Sequence, residues 1–195
     1  LLKDGTAVGV DHWSPKDLKK LDMNGCQALA DLLNDIEEGL AWPLYTLYNI
    51  IVLMGKPTGG TRPIALMPML YRIWTKVRRP YLTEWESEHV GHWDAAIRGS
   101  SALREAVLSQ LQDEIAHYTD KDNGAILFDM AKFYDNINIC RLAERAQAMG
   151  YPIGVVAAGL VMHMGPRILK AYDHFVPCEL PSNGIIAGCT QSTYS

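Results

Sequence analysis

The chain reads as an α+β domain, and three observations predict it. Apolar residues recur at helical spacing in several separate segments. Extended runs rich in strand formers lie between them, bounded by glycine and proline. The two kinds of element follow one another in irregular order rather than as repeated strand–helix–strand units.

Each element has its own signal. Ser14 before Pro15-Lys16-Asp17-Leu18 predicts a capped helix start, with proline at the first helical position. Cys26, Leu29, Ala30, Leu33 and Ile36 make an apolar stripe over Asn24 to Glu38, closed by Gly39. Leu47 to Met54 and Arg62 to Leu66 read as two strands joined by the loop Gly55-Lys56-Pro57-Thr58-Gly59-Gly60. Leu70 to Val77 reads as a helix. Ser101 caps a longer one, in which Leu103, Val107, Leu111 and Ile115 recur every fourth residue. Ala125-Ile126-Leu127-Phe128 has the look of a short buried strand with Asp129 at its end. Ile139, Leu142, Ala143, Ala146 and Met149 trace a helix closed by Gly150 and capped by Asp135 or Asn138. A helix over Ile153 to Met164 and a strand pair over Arg167 to Val176 follow. Gly184-Ile185-Ile186-Ala187-Gly188 is a glycine-punctuated loop before a further helix.

Composition narrows the function classes. Hydrophobic residues make up 48% and charged residues 21% of 195, an ordinary globular balance with enough chain for a sizeable core. No run approaches the length that crosses a bilayer, and the opening residues lack the apolar stretch of a secretory signal. The expectation is an intracellular, non-secreted protein of nucleus or cytoplasm. Cys26, Cys140, Cys178 and Cys189 are widely spaced and read as free thiols. The six histidines show no ligand spacing. The chain starts at Leu1, not Met, and reads as a piece of a longer protein.

Net charge is −4, yet residues 39–83 contain no Asp or Glu and carry Lys56, Arg62, Arg72, Lys76, Arg78 and Arg79. The rest of the chain holds 12 basic against 22 acidic residues. Such a local positive field can hold phosphate, although on composition alone it reads first as a solvated basic face. Asp129 is the other feature of note. An ionised carboxylate directly after four apolar residues must be exposed, paired or on a metal. By itself it reads as a turn or capping residue.

The surroundings of Asp129 carry a resemblance. Asp129-Met130-Ala131-Lys132-Phe133-Tyr134-Asp135-Asn136-Ile137 resembles the first palm motif of reverse transcriptases, of the non-long-terminal-repeat retrotransposon and group II intron type. Lys56-Pro57 through Arg62-Pro63-Ile64-Ala65-Leu66, then Arg72-Ile73, is similar to the fingers segment of that family. Gly184-Ile185-Ile186-Ala187-Gly188 with Ser192 resembles its Gly-x-x-Gln-Gly-x-x-x-Ser motif, with Ala187 in place of Gln. Gly5 to Asp11 and Gly99-Ser100-Ser101 are weaker likenesses in the same order.

The resemblance implies a right-hand polymerase with a small antiparallel palm sheet packed on helices. Residues 1–120 would be mainly fingers with a palm-entry helix, and 121–195 mainly palm. It implies an RNA-directed DNA polymerase of a retroelement, acting on an RNA template, a DNA primer and deoxynucleoside triphosphates. Two Mg²⁺ ions, or Mn²⁺, would serve nucleotidyl transfer. Asp129 would be catalytic and a metal ligand, with the Met130 backbone carbonyl assisting. Arg62, Lys56, Arg72, Tyr134 and Gly188 would bind nucleotide. Lys132, Asp135, Gly184 and Ala187 would be structural beside the site. The aromatic-x-Asp-Asp hairpin of the family does not occur in this sequence. It would follow Ser195 together with the rest of the palm and the thumb, so the chain alone would be inactive. Two alternatives stand beside this reading: a repurposed domain of the same kind that binds nucleic acid without catalysis, and the palm of a viral RNA-dependent RNA polymerase.

Overall fold

The computed structural model describes residues 3–91, 94–95, 99–126, 128, 130–187 and 189. Among them it contains six helices and one four-stranded sheet. The helices are α1 (Pro15–Leu18), α2 (Met23–Gly39), α3 (Met69–His89), α4 (Ala102–Tyr118), α5 (Ile139–Ala148) and α6 (Ile153–His163). The strands are β1 (Asn49–Gly55), β2 (Thr61–Leu66), β3 (Arg167–Ala171) and β4 (His174–Pro177). The chain divides into two compact units, one of residues 1–83 with 132–195 and one of residues 84–131.

In the first unit the helix boundaries follow local chemistry. Ser14 accepts from the Asp17 N–H while Asp17 accepts from the Ser14 N–H, a reciprocal capping box. Asp22 caps α2 through the Gly25 N–H. The left-handed residue that ends α2 is Leu40, at φ 47°, one place beyond the glycine expected there. Asp11 reaches across from the N-terminal segment and accepts the Leu70 N–H at 3.0 Å in the first turn of α3. Gly9 makes that approach feasible, since a Cβ there would lie 2.5 Å from the Met67 carbonyl oxygen.

The sheet order is β2-β1-β3-β4. β1 and β2 form the hairpin expected around the Gly59-Gly60 loop, with Ile50 opposite Leu66 and Gly55 opposite Thr61. β3 and β4 form a second antiparallel pair. β1 and β3 run parallel, with Asn49 beside Arg167 and Val52 beside Lys170. The sheet is therefore mixed rather than purely antiparallel, because two local hairpins are joined through their inner strands.

The core of this unit lies around α2, α3 and α6. Trp42, Tyr71 and Trp74 form an aromatic cluster, with Trp42 edge-on to both partners at centroid distances of 5.4 Å. The Trp42 indole N–H donates to the Ala158 carbonyl at 2.9 Å and ties this cluster to α6. Met69, Tyr71, Trp74, Leu82, Ala158 and Met162 are fully or almost fully buried. Each large apolar side chain so buried contributes roughly 1.5–3 kcal/mol relative to exposure. α6 is apolar on nearly all sides, and it packs against both α2 and α5. Glu37 of α2 accepts from the Trp74 indole at 2.5 Å and takes the Arg78 guanidinium side-on, so Arg78 belongs to the interior bracing of this unit.

The second unit contains α4, which Ser101 caps through the Arg104 N–H. No α4 residue is buried, so the four-residue repeat of Leu103, Val107, Leu111 and Ile115 lies open to solvent. The expected strand at Ala125–Phe128 does not form among the described residues. Ile126 and Phe128 are 79% and 84% exposed, and neither pairs with the sheet. A run this short is stable as a strand only with a ladder partner, and none of β1 to β4 supplies one. The helix expected after Gly188 lies outside the described residues. None of the helices among the described residues is long and apolar enough to cross a membrane.

Candidate functional site

Two of the sequence segments meet in the first unit. Phe133–Asn136 forms a single 3₁₀ turn, opened by Lys132 at φ 50°. The Lys132 carbonyl accepts the N–H groups of Asp135 and Asn136, which closes the turn. Left-handed backbone at a lysine costs of order 1 kcal/mol and persists only where neighbours hold it. The neighbour here is the Gly184 segment. Gly184 donates its N–H to the Ile137 carbonyl at 2.8 Å, and Ile185 donates to the Tyr134 carbonyl at 2.9 Å. Ile186 donates its N–H to Nδ1 of His163 at 2.9 Å. Three successive amides thus anchor the loop, and Gly184, Ile185 and Ile186 are all buried.

Gly184 has a backbone reason to be glycine. It sits at φ 84°, and a Cβ there would lie 2.8 Å from the Asp135 carbonyl oxygen. Asp135 itself is exposed and does not cap α5. Asn138 does so, accepting the Arg141 N–H at 2.9 Å, because Asp135 is taken into the 3₁₀ turn. The aromatic ring of Tyr134 is partly buried and edge-on to Phe133, with centroids 5.3 Å apart.

On the other side of the loop, Cys189 is buried with its Sγ 3.2 Å from the Tyr71 hydroxyl. Burial and the Cys189 thiol raise the Tyr71 pKa well above its ordinary value, so the hydroxyl stays protonated. Tyr71 and Cys189 line a cavity of about 300 Å³ together with Ile64, Arg72, Thr75 and Lys76. Arg72 is partly buried, and it donates to the Ala7 carbonyl at 2.7 Å. Desolvation lowers its pKa, opposed by the nearby Asp11 carboxylate. The cavity therefore presents two cations on an otherwise apolar and hydroxyl-bearing wall, a setting that favours an anionic group.

Lys56 and Arg62 are exposed at the β1–β2 hairpin, where the Lys56 N–H donates to the Gly60 carbonyl and Arg62 stands opposite Met54. Ala187 is exposed at the end of the anchored loop. Met130 is exposed in the second unit. Asp129 and Gly188 lie outside the described residues. Among the described residues no group of three or more His, Cys, Asp or Glu side chains could hold a metal ion.

Sequence reasoning did not single out His163 or Tyr71, and it named Asp11 only as the end of the Gly5 to Asp11 likeness. His163 is 3% exposed in the last turn of α6, in a segment whose only strong signal is apolar character. Its partner is a backbone amide, which leaves no trace in the sequence. Asp11 carried a hint, since it stands two residues after the glycine that lets it approach α3. No protein-family model matches the chain, and no curated protein matches it either.

Proposed function

We propose that this chain is the fingers and part of the palm of a reverse transcriptase, an RNA-directed DNA polymerase that takes an RNA template, a DNA primer and deoxynucleoside triphosphates. The observation that carries this reading is the meeting of the Tyr134–Asp135 turn with the Gly184–Ile186 loop. These segments lie far apart in the sequence, and each resembles a motif of that family. The basic hairpin with Lys56 and Arg62, and the cavity flanked by Arg72 and Lys76, add phosphate-binding chemistry in the same unit.

In this reading Tyr134 lies beneath the incoming sugar, and Arg62 and Lys56 contact triphosphate or template backbone. Arg72 offers its guanidinium to the nucleotide. Asp129 and the Met130 carbonyl are the contribution of this chain to Mg²⁺ binding, whose chemistry is to activate the primer hydroxyl and steady the pyrophosphate.

The test is primer extension by the full-length protein and its Asp129→Ala variant. Synthesis is expected to fall below detection in the variant while the circular dichroism and thermal midpoint stay those of the wild type. Retained synthesis would remove Asp129 from the site. Duplex binding without synthesis by the wild type would favour the repurposed binding domain, and use of ribonucleotides alone would favour an RNA polymerase.

A further inference from the structure

His163 is a buried titratable group that the proposed chemistry leaves unused. Its Nδ1 accepts the Ile186 N–H at 2.9 Å, and its ring meets the Tyr71 ring edge-on with centroids 6.3 Å apart. The side chain thus stands between the anchored loop and the tyrosine that lines the cavity beside Arg72. The two preceding amides of the loop go to the carbonyls of Ile137 and Tyr134, so His163 supplies the third anchor from a different element.

We propose that His163 is a positioning residue: by accepting the Ile186 N–H it fixes the Gly184–Ile186 segment against Tyr134, and so sets the wall that the nucleotide meets. The assignment rests on the polymerase reading for its consequence, though not for its geometry. Acceptance at Nδ1 requires the neutral ring with its proton on Nε2. Burial, and then the positive charge of Arg167, hold the ring in that form by lowering its pKa to about 4. An acceptor on the last turn of a packed helix moves less than one on a loop, which suits it to hold a neighbouring backbone in register. Removing it would leave the Ile186 N–H buried without a partner, and the loop would shift to find water.

Two substitutions separate positioning from packing. His163→Phe keeps a ring in the same space and deletes the acceptor. His163→Asn places an amide oxygen near the position of Nδ1 and keeps it. Amide hydrogen exchange on the purified chain is expected to show Ile186 exchanging roughly tenfold faster or more in His163→Phe, with β1 amides unchanged, and a rate close to wild type in His163→Asn. In the full-length protein, His163→Phe is expected to raise the nucleotide KM roughly tenfold with kcat within about twofold, and His163→Asn to restore most of the loss. Unchanged Ile186 exchange in His163→Phe overturns the assignment. So does an equal loss of protection across the whole unit in both variants, which is the mark of a packing role alone. A wild-type protein that makes no DNA removes the polymerase reading, and the positioning role is then decided by the exchange pattern alone.

Discussion

His163 binds fewer protons in the folded chain than in the unfolded one, because its folded pKa lies near 4 against about 6.5 when solvated. The sign of the linkage follows. The neutral ring is favoured by folding, so its contribution is complete above about pH 6.5 and is lost as pH falls from there toward about pH 4. The groups facing the ring are Arg167 of β3, Tyr71 of α3 and the loop amide of Ile186. Wild-type stability is therefore expected to fall by about 2–3 kcal/mol more than that of His163→Asn between pH 7 and pH 4. Urea unfolding at a series of pH values checks this, and parallel curves for the two proteins would exclude it. At this scale the sequence was only partly legible. The need for glycine at position 184 follows from a left-handed backbone and a close carbonyl, and the glycine punctuation gave that away. The partner of His163 is a main-chain group 23 residues distant, and nothing in its side-chain neighbours in sequence announces it.

The elements were more legible than the residues that pair them. Caps decided most helix starts: Ser14, Asp22, Ser101 and Asn138 each accept an N–H of the first turn. Two candidates stood before α5, and which one caps was settled by the turn that claims Asp135. Asn138→Ala is accordingly expected to destabilise the first unit by about 1 kcal/mol, and Asp135→Ala by less than about 0.5 kcal/mol. Equilibrium unfolding of the two variants side by side measures the contrast, and the reverse order would show that Asp135 is the cap. The misreading of Ala125–Phe128 has the opposite lesson. Apolar character marks a segment that wants cover, but a strand also needs a partner with free backbone groups, and pattern alone does not reveal one. Likewise each hairpin was visible locally, whereas the parallel seam between β1 and β3 depends on register across long-range contacts.

For the molecule as a whole, charge separation matters more than net charge. The protein carries −4 overall, while Lys56 and Arg62 project from a hairpin that holds no carboxylate. Binding to a primer–template duplex is therefore expected to weaken steeply with salt. Lys56→Ala combined with Arg62→Ala should reduce the slope of log K against log salt by about 1.8, the share of two phosphate contacts on a duplex. Fluorescence anisotropy at several salt concentrations gives that slope, and an unchanged one would take the hairpin out of the binding surface. The seam between β1 and β3 carries a consequence for biosynthesis. Asn49 bonds to the Met162 carbonyl across 113 residues and begins the strand that pairs with β3. On the ribosome, the first hairpin emerges long before the strand that covers its inner edge. During that interval Asn49 and Ile51, whose main-chain groups face β3, present open donors and acceptors to any other nascent copy. Polysomes translating this protein would thus favour self-association until Arg167 to Lys170 leaves the exit tunnel, and the yield of soluble chain would depend on how quickly that stretch is delivered.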